Sequence, residues 1–438
     1  MNKLVPRVGV ASLASPMEVG ADRAPRVLAD LAALLRDRGI EVVPSERPVT
    51  APDSAASTGR MFAEQHVDVL CLAAASWFED YLVLDMLEEA GVPVFLWAFP
   101  GMETGALCGT QQIACYLKQL AKPCASVFGP LEPGPNLNRA FSFLRAAALR
   151  NRLRRARIGL AGYRTPGMTE IAANEIALKR VLGPRVVPVD MVHLLEAARK
   201  WDNTERGRIW SRVKAAAGRV DVLDAAGLDA AGIYLALRET VQREGLSALA
   251  FGCYPYFMGR ACLAASLLAD EGIPISCEGD VNGAVGMLIL SLLSGHPTHN
   301  TDLLETLPDG SIVFSHCGSS SHAFAESRED ITIAPVRLAH AGVCSLFPAR
   351  PGPVTLINLI PSGTAYQLAV MEGEAIGAEM VFPGNPLCVR FRHTAQEIYN
   401  WVCVEGIAHH WMAAYGYFAA ELSDLARIIG PELKYLTM

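Results

Sequence analysis

The chain has no CxxC pair, no HExxH spacing, no internal repeat and no low-complexity tract. Its longest apolar stretch, Gly283 to Leu293, falls well short of the roughly 20 residues a spanning helix needs, so a membrane segment is excluded. The eleven cysteines stand singly, mostly inside apolar runs such as DVLCLAA and AFGCYPYF, and their number is odd. They read as reduced, buried thiols, which excludes a disulfide framework and a thiolate zinc site. The N-terminus carries Lys3 and Arg7 but only a broken apolar run, so a signal peptide is disfavoured and a cytoplasmic protein expected. Positive charge is also short: 38 Lys and Arg against 45 Asp and Glu leave a formal charge of −7. No basic field exists for nucleic acid, and the local cluster from Arg150 to Gly159 reads as an exposed helix end.

What is present is apolar mass and a βαβ rhythm. With 51% apolar residues, 438 residues can bury several cores and predict two or three domains. Arg7 to Leu13 reads as a strand, Ala24 to Arg38 as a helix with Pro25 in its first turn, and Gly39 to Val43 as strand again. Asp68 to Ala75 and Pro93 to Ala98 are continuous apolar runs flanking a helix that ends at Gly91, as a parallel sheet buried on both faces requires. The stretch GPLEPGPN, Gly129 to Asn136, resists both helix and strand and marks a linker ahead of a connecting helix. A second α/β series begins at Arg157, with strands at Val186 to Val189, Ala248 to Gly252 and Ile273 to Ser276. Beyond about His296 short β-like runs (SIVFSH, DITIAPV, PVTLINLI, AYQLAV, PLCVRFR) suggest a small antiparallel barrel or sandwich, and Ala395 to Leu436 reads as helical. The expected fold is two Rossmann-like α/β domains, residues 1–156 and 157–296, followed by a β-rich, barrel-like domain, 297–438, with a terminal helix.

Polar residues of metal-binding type gather late in the chain. Glu278 in IPISCEGDVNGA ends an apolar run and is backed by glycines, where α/β proteins keep their chemistry, although a surface acid closing a strand is the plainer reading. Asp280 and Asn282 fit turn-shaping and helix-capping roles. Asp302 in HNTDLLE reads as a ligand or as the N-cap of a one-turn helix. His316 closes the strand SIVFSH, where a packed histidine competes with a ligand. His409 and His410 are adjacent, so on a helix they point about 100° apart and at most one faces a given metal. A mixed carboxylate and imidazole set suits Mn²⁺, Co²⁺ or Mg²⁺. The chemistry it fits is proton transfer next to a carbonyl: the cation polarises C=O and the adjacent OH while carboxylates move the proton.

The run SCEGDVNGAVGMLILSLLSGHP, with Asp302 in NTDL 24 residues after Glu278, then SHCG and the HH doublet, resembles the L-fucose isomerase and L-arabinose isomerase superfamily. ASWFED ending at Asp80, VFLWAFPGMETGALCG from Val94 and GLAGYRTPGM from Gly159 extend the resemblance over nearly the whole chain. It implies an aldose–ketose isomerase that uses Mn²⁺, acts on a free pentose or 6-deoxyhexose-type sugar, and works as a homo-oligomer, trimeric or hexameric, with sites between subunits. It further implies that Glu278 and Asp302 are paired metal-binding carboxylates that shuttle a proton through an enediol, and that His410, or failing that His409, is the imidazole ligand. His316 stands where the arabinose branch has a further metal histidine. Trp77, Trp97, Arg164, Tyr254 and Asn282 are candidates for substrate or subunit contact. Asp302 follows the fucose branch and the HH doublet the arabinose branch, leaving the sugar open. Two other outcomes share the chemistry or the fold: a metal-dependent epimerase or lyase on a modified sugar or sugar acid, and a sugar-binding protein without turnover.

Overall fold

A computed structural model describes residues 4–377 and 379–438. The chain forms two compact units, one made of residues 4–152 with 420–431, the other of 153–419 with 432–438. In the first, β1 (Arg7–Leu13), β2 (Glu41–Pro44), β3 (Val69–Ala74), β4 (Val94–Ala98) and β5 (Cys124–Phe128) form a parallel sheet ordered β2-β1-β3-β4-β5. Every residue of β3 and β4 is buried, which is why these strands read as unbroken apolar runs rather than alternating ones. The helix Ala24–Arg36 turns Val27, Leu28, Leu31 and Leu35 inward, and the helix Tyr81–Ala90 stops at Gly91, as its spacing predicts. The helix Pro135–Arg155 follows the Gly/Pro-rich stretch.

The second unit continues with β6 (Arg157–Ala161), β7 (Arg185–Val189), β8 (Arg219–Val220), β9 (Ala248–Phe251), β10 (Ile275–Ser276), β11 (His299–Thr306), β12 (Ile312–Ser315), β13 (Thr332–Val336), β14 (Ala341–Leu346), β15 (Gly352–Ser362), β16 (Ala365–Ile376), β17 (Leu387–Arg390), β18 (His410–Tyr415) and β19 (Leu433–Thr437). β10-β9-β6-β7 is a parallel sheet, and β14-β13-β8 is a small mixed one. The strands β15-β18-β11-β12-β17-β16 pair antiparallel in that order, and β16 pairs back to β15, closing a barrel with β19 added alongside β16. The architecture is thus mixed α/β with parallel sheets and a β-rich C-terminal region carrying a terminal helix.

One helix positions the site. Val281–Ser294 is buried along nearly its whole length and packs against β9 on one side and β15 and β18 on the other, which explains an apolar run without an amphipathic period. A Cβ added to Gly283 would lie 2.8 Å from the Met412 methyl, so glycine allows the helix to sit close on β18. The N-terminus of this helix therefore abuts the start of β18.

The expectation of continuous helix from Ala395 to Leu436 is corrected. Helix Ala395–Glu405 ends at Gly406 in the left-handed region, β18 follows, then helix Ala419–Ile429, then β19. The segment HWMAAY has helix-compatible residues, but barrel neighbours on both its edges, β11 and β15, impose the strand. Asp302 likewise lies within β11 rather than capping a helical turn. Among the described residues no helix is long and apolar enough to cross a membrane.

Candidate active site

Glu278 sits in the turn between β10 and the helix Val281–Ser294 with φ at +63°, and Gly279 follows at +71°. A left-handed glutamate is uncommon and costs free energy. Here the surroundings hold it: Thr165 N–H donates to the Glu278 carbonyl at 2.9 Å, Gly279 N–H to Phe251 O at 3.0 Å and Asp280 N–H to Cys277 O at 3.1 Å. A side chain on Gly279 would collide with Tyr163 O, its Cβ only 2.5 Å away. The turn thus aims the Glu278 carboxylate at β18, where it meets His410.

His410 is 2% exposed and lies between two carboxylates. Its Nδ1 is 2.9 Å from Asp280 Oδ2, and its Nε2 is 2.9 Å from Glu278 Oε2 and 3.8 Å from Asp302 Oδ1. The barrel register brings Asp302 there, since Asp302 of β11 pairs directly with His410 of β18 and with Ser315 of β12, and opposed residues of antiparallel strands share a face. His316 follows Ser315, its ring centroid 6.1 Å from that of His410. Ligand atoms of Glu278, His316 and His410 lie within 4.8 Å of one another, as do those of Asp302, His409 and His410.

Asp280 has two tasks. Its Oδ1 caps the helix by accepting from Gly283 N–H at 2.9 Å, and its Oδ2 takes His410 Nδ1. Its place beside a glycine signals the cap; the second contact depends on β18, far along the chain, and carries no local signal. A carboxylate on Nδ1 fixes the tautomer and leaves Nε2 free to be a ligand.

The electrostatics show a site with surplus negative charge. Burial would raise the Glu278 pKa, but the hydrogen bond with His410 and the charges of His316 and His410 hold it below the usual range. Burial alone would lower His410, yet hydrogen bonds to Asp280 and Glu278 place it well above an ordinary imidazole. His316, whose burial also works downward, is raised to about 10, chiefly by Cys277 and then by Asp302 and Glu278. Protons on imidazoles thus balance these carboxylates, a task a divalent cation performs equally well. Asp302 Oδ1 is buried with no hydrogen-bond partner, a cost of about 1–3 kcal/mol that a cation would relieve. The oxygen and nitrogen donors therefore suit a metal ion, which Glu278, His316 and His410, or Asp302, His409 and His410, could hold.

A cavity of about 140 Å³ opens beside this cluster; its lining includes Glu278, Asp302 and His316 together with Tyr254, Arg337 and Phe382. Of the remaining candidates from the sequence, His409 borders the cluster, while Asn282, Arg164, Trp77 and Trp97 belong neither to its metal-binding groups nor to the cavity lining. His409 is half-buried with its Nδ1 2.6 Å from Glu170 Oε1. Asn282 is buried, donates to Ile171 O at 3.0 Å and accepts from Tyr366 OH at 3.1 Å, a packing arrangement. Arg164 donates to Thr165 O at 3.1 Å, next to the residue that holds the Glu278 carbonyl. Trp77 and Trp97 belong to the first unit; Trp97 is fully buried with its indole N–H on Gly129 O at 2.9 Å, and Trp77 donates to Gln112 at 3.3 Å. Arg337 and Phe382 escaped the sequence reading because an arginine after a strand and a phenylalanine before a Pro-Gly turn carry no distinguishing pattern.

No family model matches the chain. It is similar to sulfoquinovose isomerase of Priestia aryabhattai, 26% identical over 381 residues that cover 84% of this chain and 85% of that protein. The enzyme of the same name from Alkalicoccus urumqiensis is 24% identical over 376 residues, covering 82% and 84%. That from Clostridium sp. (strain MSTE9) is 25% identical over 354 residues, covering 77% and 79%. These homologues, which match most of the chain, are sugar isomerases.

Proposed function

We propose that the chain is a metal-dependent aldose–ketose isomerase acting on a free, modified sugar of the 6-deoxyhexose type through an enediol. The observation that carries this reading is the convergence of Glu278 and Asp302, from a helix-capping turn and a barrel strand, on one buried imidazole nitrogen at 2.9 and 3.8 Å. The names of the relatives point the same way, since sulfoquinovose is a 6-deoxyhexose bearing a sulfonate.

In the aldose-to-ketose direction, one carboxylate of the pair removes the proton from C2 and returns it at C1. The other carries the hydroxyl proton from O2 to O1. Positioned acid–base groups of this kind contribute roughly 10² to 10⁴ in rate. Glu278, held below the ordinary carboxylate range, is ionised and ready to act as a base. Asp280 keeps His410 in one orientation. A divalent cation, of which Mn²⁺ suits the donor set, supplies polarisation of the carbonyl and its neighbouring hydroxyl when bound by Glu278, Asp302 and His410.

The test is incubation of the Mn²⁺-loaded protein with sulfoquinovose, quinovose, L-fucose and L-arabinose in D₂O, followed by NMR. Formation of a ketose with deuterium at C1, and aldose exchanged at C2, is expected for at least one sugar. A panel that shows neither exchange nor ketose overturns the reading, and products with fewer carbons would replace it with a lyase.

A further inference from the structure

Arg337 follows β13 at the turn into β14 and lines the same cavity as Glu278, Asp302 and His316. It is exposed, and its guanidinium carbon lies 5.0 Å from the centre of the Phe382 ring. No hydrogen bond or ion pair engages it among the described residues. That sets it apart in a chain where acids outnumber bases by 45 to 38 and where arginines such as Arg139 and Arg219 are paired with carboxylates. Among the described residues it is also the one arginine or lysine of the lining. The turn that carries it is anchored: Val343 N–H donates to Gly259 O at 2.9 Å, and His340 N–H to Val336 O at 2.8 Å.

The cavity poses an electrostatic problem for any anionic sugar. Its reactive end must approach Glu278 and Asp302, so a second negative charge on the sugar is repelled unless a permanent cation answers it elsewhere. His316 and His410 are already engaged with Cys277, Glu278 and Asp280. Arg337 is free to respond. An arginine stacked on an aromatic face keeps its N–H donors at the rim of its plane, where a tetrahedral anion can take two at once. The neighbouring wall, with Met258, Leu304, Val336 and Leu338, offers no partner to a sugar hydroxyl. It suits a carbon that carries no hydroxyl.

Building on the isomerase reading, we propose that Arg337 determines specificity by binding an anionic tetrahedral group, of the sulfonate or phosphate kind, at the end of the aldose remote from its carbonyl. The relatives' named sugar carries such a group, and quinovose is the same sugar without it.

The experiment compares kcat/KM for sulfoquinovose, quinovose and glucose 6-phosphate in wild type, Arg337→Gln and Arg337→Lys, alongside calorimetric Kd values. Wild type is expected to favour an anionic sugar over quinovose by about 100-fold, as a charged bidentate hydrogen bond allows. Arg337→Gln is expected to reduce that ratio to within a few-fold, mainly through KM, and Arg337→Lys to retain part of it. The identity of the favoured anionic sugar separates sulfonate from phosphate. An unchanged anionic-to-neutral ratio in Arg337→Gln overturns the proposal, as does a wild type without anion preference. Should wild type exchange no C2 proton in any sugar, the isomerase reading fails by itself. Calorimetry then decides the arginine: sulfoquinovose or glucose 6-phosphate binding that is lost in Arg337→Gln supports it, and equal or absent binding to wild type overturns it. Arg337 is exposed, so thermal unfolding of the variants is expected to match wild type and to exclude misfolding as the cause.

Discussion

Buried carboxylates occur in both units of the chain, but in the first they are answered by guanidinium and in the second by imidazole. In the first, Asp424 is held by Arg139 at 2.5 and 2.8 Å and by Ser142 at 2.9 Å, while Glu421 is held by Arg145. Arginine does not release its proton at any pH the protein meets, so these pairs are fixed. In the second, Glu278 and Asp280 face His410, and Asp302 Oδ1 faces no donor within bonding reach. Imidazole can give up its proton, so this positive charge is exchangeable for a cation. The difference teaches how to separate a structural acid from a working one: permanence of the partner, more than depth of burial, marks the role.

The comparison predicts that the two kinds of acid fail differently. Glu278→Gln keeps the shape and removes the proposed base, so turnover should fall by about 10³ or more while the melting temperature moves little. Unaltered C2 exchange in this variant would move the chemistry elsewhere. Chelation with EDTA should also abolish turnover, reversibly on adding Mn²⁺, and lower thermal stability only in part. Complete unfolding on chelation would make the ion structural. Asp280→Asn should weaken metal affinity or kcat by roughly 10 to 100-fold, the usual loss when the carboxylate behind a ligand histidine is removed. Its helix cap should survive, because asparagine caps as well.

Arg139→Met tests the other side. It leaves Asp424, whose side chain is 3% exposed, without its bidentate partner and should cost about 3 kcal/mol of stability in a denaturant titration. Activity per folded molecule should be unchanged. A stability loss below about 0.5 kcal/mol would mean the pair is no firmer than a surface one.

Much of this was legible because sequence period reports burial. β3 and β4 read as strands from unbroken apolar runs, and Glu278 stood out because an acid between Ile275 and a Gly-rich turn breaks such a run. Asp302 and His316 were identifiable as residue types near barrel strands, but their meeting with His410 depends on strand register, which no local pattern contains. The His doublet reads as helical because the alanines around it favour a helix and the aromatics tolerate one, and pairing with β11 and β15 decides the matter. Asp280 was legible as a cap and invisible as the partner of a histidine 130 residues away. Arg337 became visible only once the cavity showed a cation with no hydrogen-bond or ion-pair partner among the described residues.

The smallest effect concerns a third imidazole of the second unit, which lacks a carboxylate altogether. His299 is 1% exposed, its Nε2 lies 3.0 Å from Asn385 O, and burial lowers its pKa to about 4. An unfolded histidine titrates near 6.5. Between these values the unfolded chain binds more protons than the folded one, so stability is complete above about pH 6.5 and is lost as pH falls toward 4. The full loss amounts to roughly 3 kcal/mol, whereas His410, its pKa raised by two carboxylates, runs in the opposite sense. His299→Gln retains an N–H for Asn385 O and should leave stability at pH 7.5 within about 1 kcal/mol of wild type. It should also flatten the decline measured by urea titration between pH 6.5 and 4.5. Parallel curves for wild type and variant would show that His299 does not report the absence of a carboxylate, and the contrast between the two buried imidazoles would fail with it.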